Sequence, residues 1–146
     1  MNRRSMPGAV GIALGALLAI GVATPASAAP VGFAVDVVVH EEFGAAASEF
    51  EGNIPGCETG SVVTVPTVTR STGWGGVFVG VKEFTCDSGA GGFDLRLVAR
   101  FGEGGSTGTW RIVDAWGEFE GVRASGTLVG VPTDIGIDDR YIGIAR

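Results

Sequence analysis

From residue 31 onward no segment holds an apolar period of 3.6 residues. Apolar side chains alternate with polar ones, or gather in β-branched runs, between clusters of glycine, proline and small polar residues. The alternation is cleanest from Phe93 to Phe101. Phe93, Leu95, Leu97, Ala99 and Phe101 share one face there, and Asp94, Arg96, Val98 and Arg100 share the other. A strand of that kind puts one face in a core and the other in water. Val31 to His40 repeats the pattern through Val31, Phe33, Val35, Val37 and Val39. Ser61 to Ser71 is a β-branched strand interrupted by Pro66, whose missing N–H implies an edge or a bulge. Thr72 to Gly76 is its turn and Val77 to Asp87 the returning strand.

The remaining segments read less sharply. Phe43 to Glu51 is an alanine-rich strand, Asn53 to Gly60 a loop, and Asp87 to Gly92 a turn. Ser106 to Gly130 supplies two strands, with Gly117, Gly121 and Gly126 marking bends where a sheet curves. Pro132 to Asp139 reads as a loop and Tyr141 to Ala145 as a short last strand. About eight short strands joined by tight turns, with no helix of crossover length, predict an all-β chain. Its expected form is a single antiparallel eight-stranded barrel, with a Greek-key β-sandwich as the alternative. At that size the interior is filled by side chains or holds one small ligand. No strand stands out as exposed and apolar, so the oligomeric state is left open.

The N-terminus sets the compartment. Arg3 and Arg4 precede an uncharged apolar run from Gly8 to Ala23, and Ala26-Ser27-Ala28 forms a small-x-small cleavage site. Residues 1–28 therefore read as a signal peptide cut between Ala28 and Ala29, leaving 29–146 as one domain that is secreted, extracellular and without a membrane. In an exported chain the two cysteines, Cys57 and Cys86, pair as a disulfide. Closing a loop of about 30 residues contributes roughly 3–4 kcal/mol in the chain-entropy account. The chain has 10 basic and 16 acidic residues. Without Arg3 and Arg4 its charge is about −8, which disfavours nucleic acid and anionic lipid as partners.

Few residues suggest chemistry. Asp87-Ser88-Gly89 is similar to the nucleophile turn of trypsin-like proteases, but no separate aspartate lies between His40 and Ser88 to complete a triad. His40, the lone imidazole, sits at a strand end beside Glu41 and Glu42. Gly73, Gly75 and Gly76 lack the lysine and helix of a phosphate loop. Asp134, Asp138 and Asp139 lack the spacing of a calcium loop, and two cysteines with one distant histidine do not make a zinc site. No cofactor or metal is expected. Trp74, Trp110, Trp116, Phe78 and Phe93 are the large aromatics of the central region. As core residues they need only partners for their N–H groups, and as a pocket Phe78, Phe93, Trp110 and Trp116 would line it.

One stretch resembles a known family. Thr109-Trp110-Arg111-Ile112, Gly117-Glu118-Phe119-Glu120-Gly121 and Ser125-Gly126-Thr127-Leu128 are similar to the corresponding segment of allene oxide cyclase and dirigent-like barrels, and most of all to small secreted bacterial relatives without known activity. The family's Gly-Thr-Gly turn is here Ala115-Trp116-Gly117. In the family's cyclases a cavity carboxylate and a water act on an apolar substrate, for which Glu83, Glu118 and Glu120 are the candidates here. The main expectation is a secreted barrel that binds a small apolar molecule or a macromolecular partner without transforming it. A cyclase- or isomerase-type enzyme and an interaction or inhibitor protein acting through the Asn53 to Gly60 loop are the alternatives.

Overall fold

The alternating runs become eight antiparallel strands: β1 Phe33–Glu42, β2 Ser48–Gly52, β3 Thr59–Thr72, β4 Gly75–Cys86, β5 Gly91–Gly102, β6 Gly105–Gly117, β7 Ala124–Pro132 and β8 Gly136–Ala145. The structure is a computed structural model and describes residues 32–146; the signal peptide and its Ala28/Ala29 cleavage site lie outside them. Each strand pairs with its sequence neighbour, and β8 returns to β1 along ten residue pairs from Phe33↔Ala145 to Glu42↔Gly136. The barrel is closed and up-and-down, so the Greek-key sandwich is excluded. Across the β1–β8 seam, Arg140 Nε donates to Asp36 Oδ1 at 2.8 Å and a second guanidinium nitrogen reaches Asp36 Oδ2, on the outer wall.

Period-2 alternation decides what faces inward. Val35, Val37 and Val39 of β1, Phe84 of β4, Phe93, Leu95 and Leu97 of β5, Trp110 of β6, Leu128 of β7 and Tyr141 of β8 are all buried. Aromatic rings knit this interior: Phe84 stacks on Phe93 with centroids 4.9 Å apart, and Tyr141 meets Phe84 and Trp110 edge-on at 6.0 and 6.2 Å. Inward glycines make room for the rings. A Cβ on Gly143 would sit against the Trp110 indole, and one on Gly80 against the Phe78 ring.

Three elements differ from their sequence reading. β2 begins at Ser48, because Phe43 to Ala47 forms the loop that joins it to β1. The last strand begins at Gly136, so only 133–135 remain of the expected Pro132 to Asp139 loop. Paired aspartates at Asp138 and Asp139 hid that strand, since one faces out and the other in. Residues 118–123 form a turn, with Gly117 and Gly121 in the left-handed region at φ of 68° and 82°. Pro66 does mark an irregularity: the β3–β4 register shifts between Pro66 and Val68. It also lies on a free edge, because only Thr59–Val62 of β3 pair with β2.

Strand direction gives the barrel two distinct ends. The β2–β3, β4–β5 and β6–β7 connections, and the Cys57–Cys86 disulfide with its Cα atoms 5.0 Å apart, gather at one end. The β1–β2, β3–β4, β5–β6 and β7–β8 connections gather at the other. The outer wall carries an apolar patch the sequence did not announce: Val63, Val65, Val68, Val77 and Val98 are exposed across β3, β4 and β5.

Candidate functional site

The barrel is not filled. Its core layer separates two cavities, one at each end. At the disulfide end a cavity of about 220 Å³ is walled by Val35, Val37, Phe84, Phe93, Leu95 and Trp110. Ile54 and Pro55 of the β2–β3 loop and Phe119 and Val122 of the β6–β7 turn form its cover. Two bonds beside the disulfide hold that cover to the β4–β5 turn: Ser88 Oγ donates to the Gly56 carbonyl at 2.7 Å, and Thr59 Oγ1 to Asp87 Oδ2 at 2.9 Å. The Asn53 side chain mimics a neighbouring strand, accepting from Asp36 N–H and donating to the Ala34 carbonyl. Glu118, exposed at the rim, is the only charged residue in the lining among the described residues.

The opposite cavity is larger, about 450 Å³, and is built differently. Phe78, Leu97, Ala99, Phe101, Leu128 and Ile137 give it apolar walls, and Phe43 of the β1–β2 loop stands at its mouth, 79% exposed. Its floor holds three charges. Lys82, on the inward parity of β4 between Gly80 and Phe84, has a side chain only 3% exposed. Its Nζ donates to Asp139 Oδ2 at 3.1 Å and pairs with the Glu41 carboxylate. Ser106 Oγ donates to the other Asp139 oxygen at 3.3 Å. Gly130 leaves the space this needs, because a Cβ there would occupy the positions of Ser106 Oγ and Asp139 Oδ1.

Burial sets the electrostatics. Loss of solvation lowers the Lys82 ammonium from the usual lysine range, while the Asp139 carboxylate opposes that shift. Two carboxylates, Glu41 and Asp139, stand against it. The Tyr141 ring lies under the ammonium, its centroid 5.7 Å from Nζ. Its hydroxyl is buried beside Asp139, and burial and then the Asp139 charge raise its pKa well above the usual phenol value.

The residues singled out from sequence fall in different places. Phe93 and Trp110 line the apolar cavity, and Trp110 Nε1 donates to the Thr127 carbonyl at 2.9 Å. Phe78 lines the charged one. Trp116 lines neither: it is 37% exposed and covers Gly92 of β5. Trp74 is exposed at the β3–β4 turn. Glu83 and Glu120 are exposed, and Glu83 lies on the outer wall in register with Asp94, which pairs in turn with Asp114. Loss of solvation, followed by these two like charges, raises the Asp94 pKa. His40 is on the outer wall with Nδ1 2.9 Å from Asp138 Oδ1. The Asp134, Asp138 and Asp139 group is dispersed, with Asp139 alone pointing inward. Among the described residues no set of three or more histidine, cysteine, aspartate or glutamate side chains is arranged to hold a metal.

The interior carboxylates are thus Glu41 and Asp139, which the sequence reading passed over. A signal was present. Glu41 continues the inward parity of Val35, Val37 and Val39, Lys82 that of Phe84, and Asp139 that of Tyr141. No family model matches the chain, and no match was found among the curated proteins.

Proposed function

We propose that this chain is an exported β-barrel that binds a small, largely apolar molecule in its interior without transforming it. The observation that carries the reading is the 450 Å³ cavity with aromatic and aliphatic walls and a few fixed polar groups on its floor. Binding sites for small molecules have that size and that balance of surfaces. Beyond Val62, β3 pairs with β4 but has no strand on its β2 side among the described residues, and the β1–β2 loop lies beside it there. The disulfide is in keeping with the exported compartment that the leader of residues 1–28 implies.

The interior carboxylates favour binding over the cyclase-type alternative. A lone carboxylate beside an apolar substrate would suit a base, whereas Glu41 and Asp139 are both engaged by Lys82. In the loop that an inhibitor would present, Ile54, Cys57 and Gly60 are buried, and Asn53, Pro55, Gly56, Glu58 and Thr59 are exposed. The stretch that resembles allene oxide cyclase and dirigent-like barrels lies on β6, the turn after it and β7, where Thr109 faces Thr127 and Trp110 faces Gly126. It leaves the ligand unspecified.

A displacement titration tests the reading. An environment-sensitive apolar dye is titrated into the oxidised protein and competed with small lipids and aromatics. Saturable 1:1 binding that competitors reverse supports an internal site. A folded, oxidised protein that neither takes up the dye nor binds any competitor in a direct titration would remove it.

A further inference from the structure

The lining of the larger cavity holds three carboxylates and one cation. Glu41 and Asp139 share the single ammonium of Lys82, and Glu103, from the β5–β6 turn, adds another carboxylate to the lining. Arg70 and Arg100, the other basic residues towards this end, point outward: both are register partners of the exposed Val77, and Arg100 lies between the inward Ala99 and Phe101. A buried charge without a partner is costly. Lys82 is shared between Glu41 and Asp139, and of these two Glu41 has the more exposed side chain, 23% against 8%. Aromatic rings stand around that position: Phe43 at the mouth, and Phe78 and Phe101 in the walls. Ring faces are electronegative and attract cations.

We infer that this cavity takes a small organic cation, a protonated amine on an apolar body, with the ammonium at Glu41 and the apolar body among Phe78, Phe101 and Leu128. This rests on the binding role proposed above and names the chemical class of ligand. An anionic ligand is disfavoured. To reach Lys82 it would have to displace Glu41 or Asp139, and it would add a third negative charge to a floor that carries two. A neutral ligand would fill the walls and leave the surplus charge as it was. The acidic excess of the chain, 16 acidic to 10 basic residues, adds a long-range attraction of the same sign.

The test is calorimetric titration of the oxidised protein with three ligands that share one apolar body: octylamine, 1-octanol and octanoate. The expected order is octylamine tightest, by about tenfold over 1-octanol, with octanoate weakest. Glu41→Gln should remove most of the amine's advantage and leave 1-octanol affinity nearly unchanged. Phe43→Ala, at a residue 79% exposed and so harmless to folding, should weaken octylamine and 1-octanol together. Octylamine and 1-octanol binding equally would overturn the cation inference while leaving the binding role intact, and so would octanoate binding tightest. Unchanged octylamine affinity in Phe43→Ala would overturn the assignment to this cavity. A protein that binds none of the three, nor the apolar dye, loses the binding role and this inference with it.

Discussion

The two ends of the barrel share the same eight strands and solve opposite problems. At the disulfide end the inward positions are aromatic and aliphatic, the connections fold over the mouth, and a covalent bond secures them. Burial there is converted into stability. At the other end the cover is sparse, β2 stops short of the rim, and three charged side chains occupy positions that Val, Leu or Phe could fill. A buried ion pair is seldom more stabilising than the apolar residues that could replace it. The contrast sets a region that stabilises against the region proposed to bind.

Removing charge from the second region is the most drastic way to break this comparison. Lys82→Met leaves Glu41 and Asp139 facing one another in a buried site and should cost about 3–5 kcal/mol at neutral pH by urea unfolding. The pH dependence has a definite sign. The loss comes from like charges brought together without a cation, so it should shrink as pH falls. A loss that does not vary with pH would mean packing, not charge, holds that end.

Opening the disulfide addresses the first region. Cys57→Ala/Cys86→Ala should cost about 3–4 kcal/mol and expose Ile54 and Phe119 to solvent. Ligand affinity at the opposite cavity should change less than twofold, about 0.4 kcal/mol. An equal loss of stability and of affinity would show that the ends are not independent.

Gly130→Ala is a finer instrument, because the added methyl competes for the space of Asp139 Oδ1 and Ser106 Oγ. Overpacking of this kind costs about 1–3 kcal/mol. It should also weaken amine binding by moving Asp139 away from Lys82. The smallest effect is expected on the outer seam. Arg140 holds the Asp36 carboxyl below its usual range, first through its hydrogen bond, so the pair contributes above the unfolded pKa of Asp36 and is lost as pH falls through the folded one. Asp36→Asn should remove a small, salt-sensitive increment of melting temperature and leave ligand affinity untouched.

What sequence could reveal followed the strength of the alternation. β5 was legible throughout because every second residue is apolar, and Cys57–Cys86 was legible because two cysteines in an exported chain pair with each other. β8 was half hidden: Asp138 and Asp139 look like a loop until one is seen to face water and the other Lys82. The site was missed for the same reason. A charged residue at an inward position breaks the pattern by which inward positions are recognised, so the candidate carboxylates were sought at Glu83, Glu118 and Glu120, which the strands expose. Trp116 was misplaced by size, because a large ring can as readily cover an outward glycine such as Gly92 as fill a core. The exposed valines of β3, β4 and β5 could not be told from core positions, since β-branched residues occupy both faces of those strands.

The most direct measurement is an amide NMR titration of the oxidised protein with octylamine. The account predicts saturable shifts centred on Ala99, Phe101, Leu128 and Ile137, with Ile54 and Val122 at the disulfide end unmoved. Shifts centred on Ile54, Phe119 and Val122, or on the outer valines of β3 to β5, would contradict it.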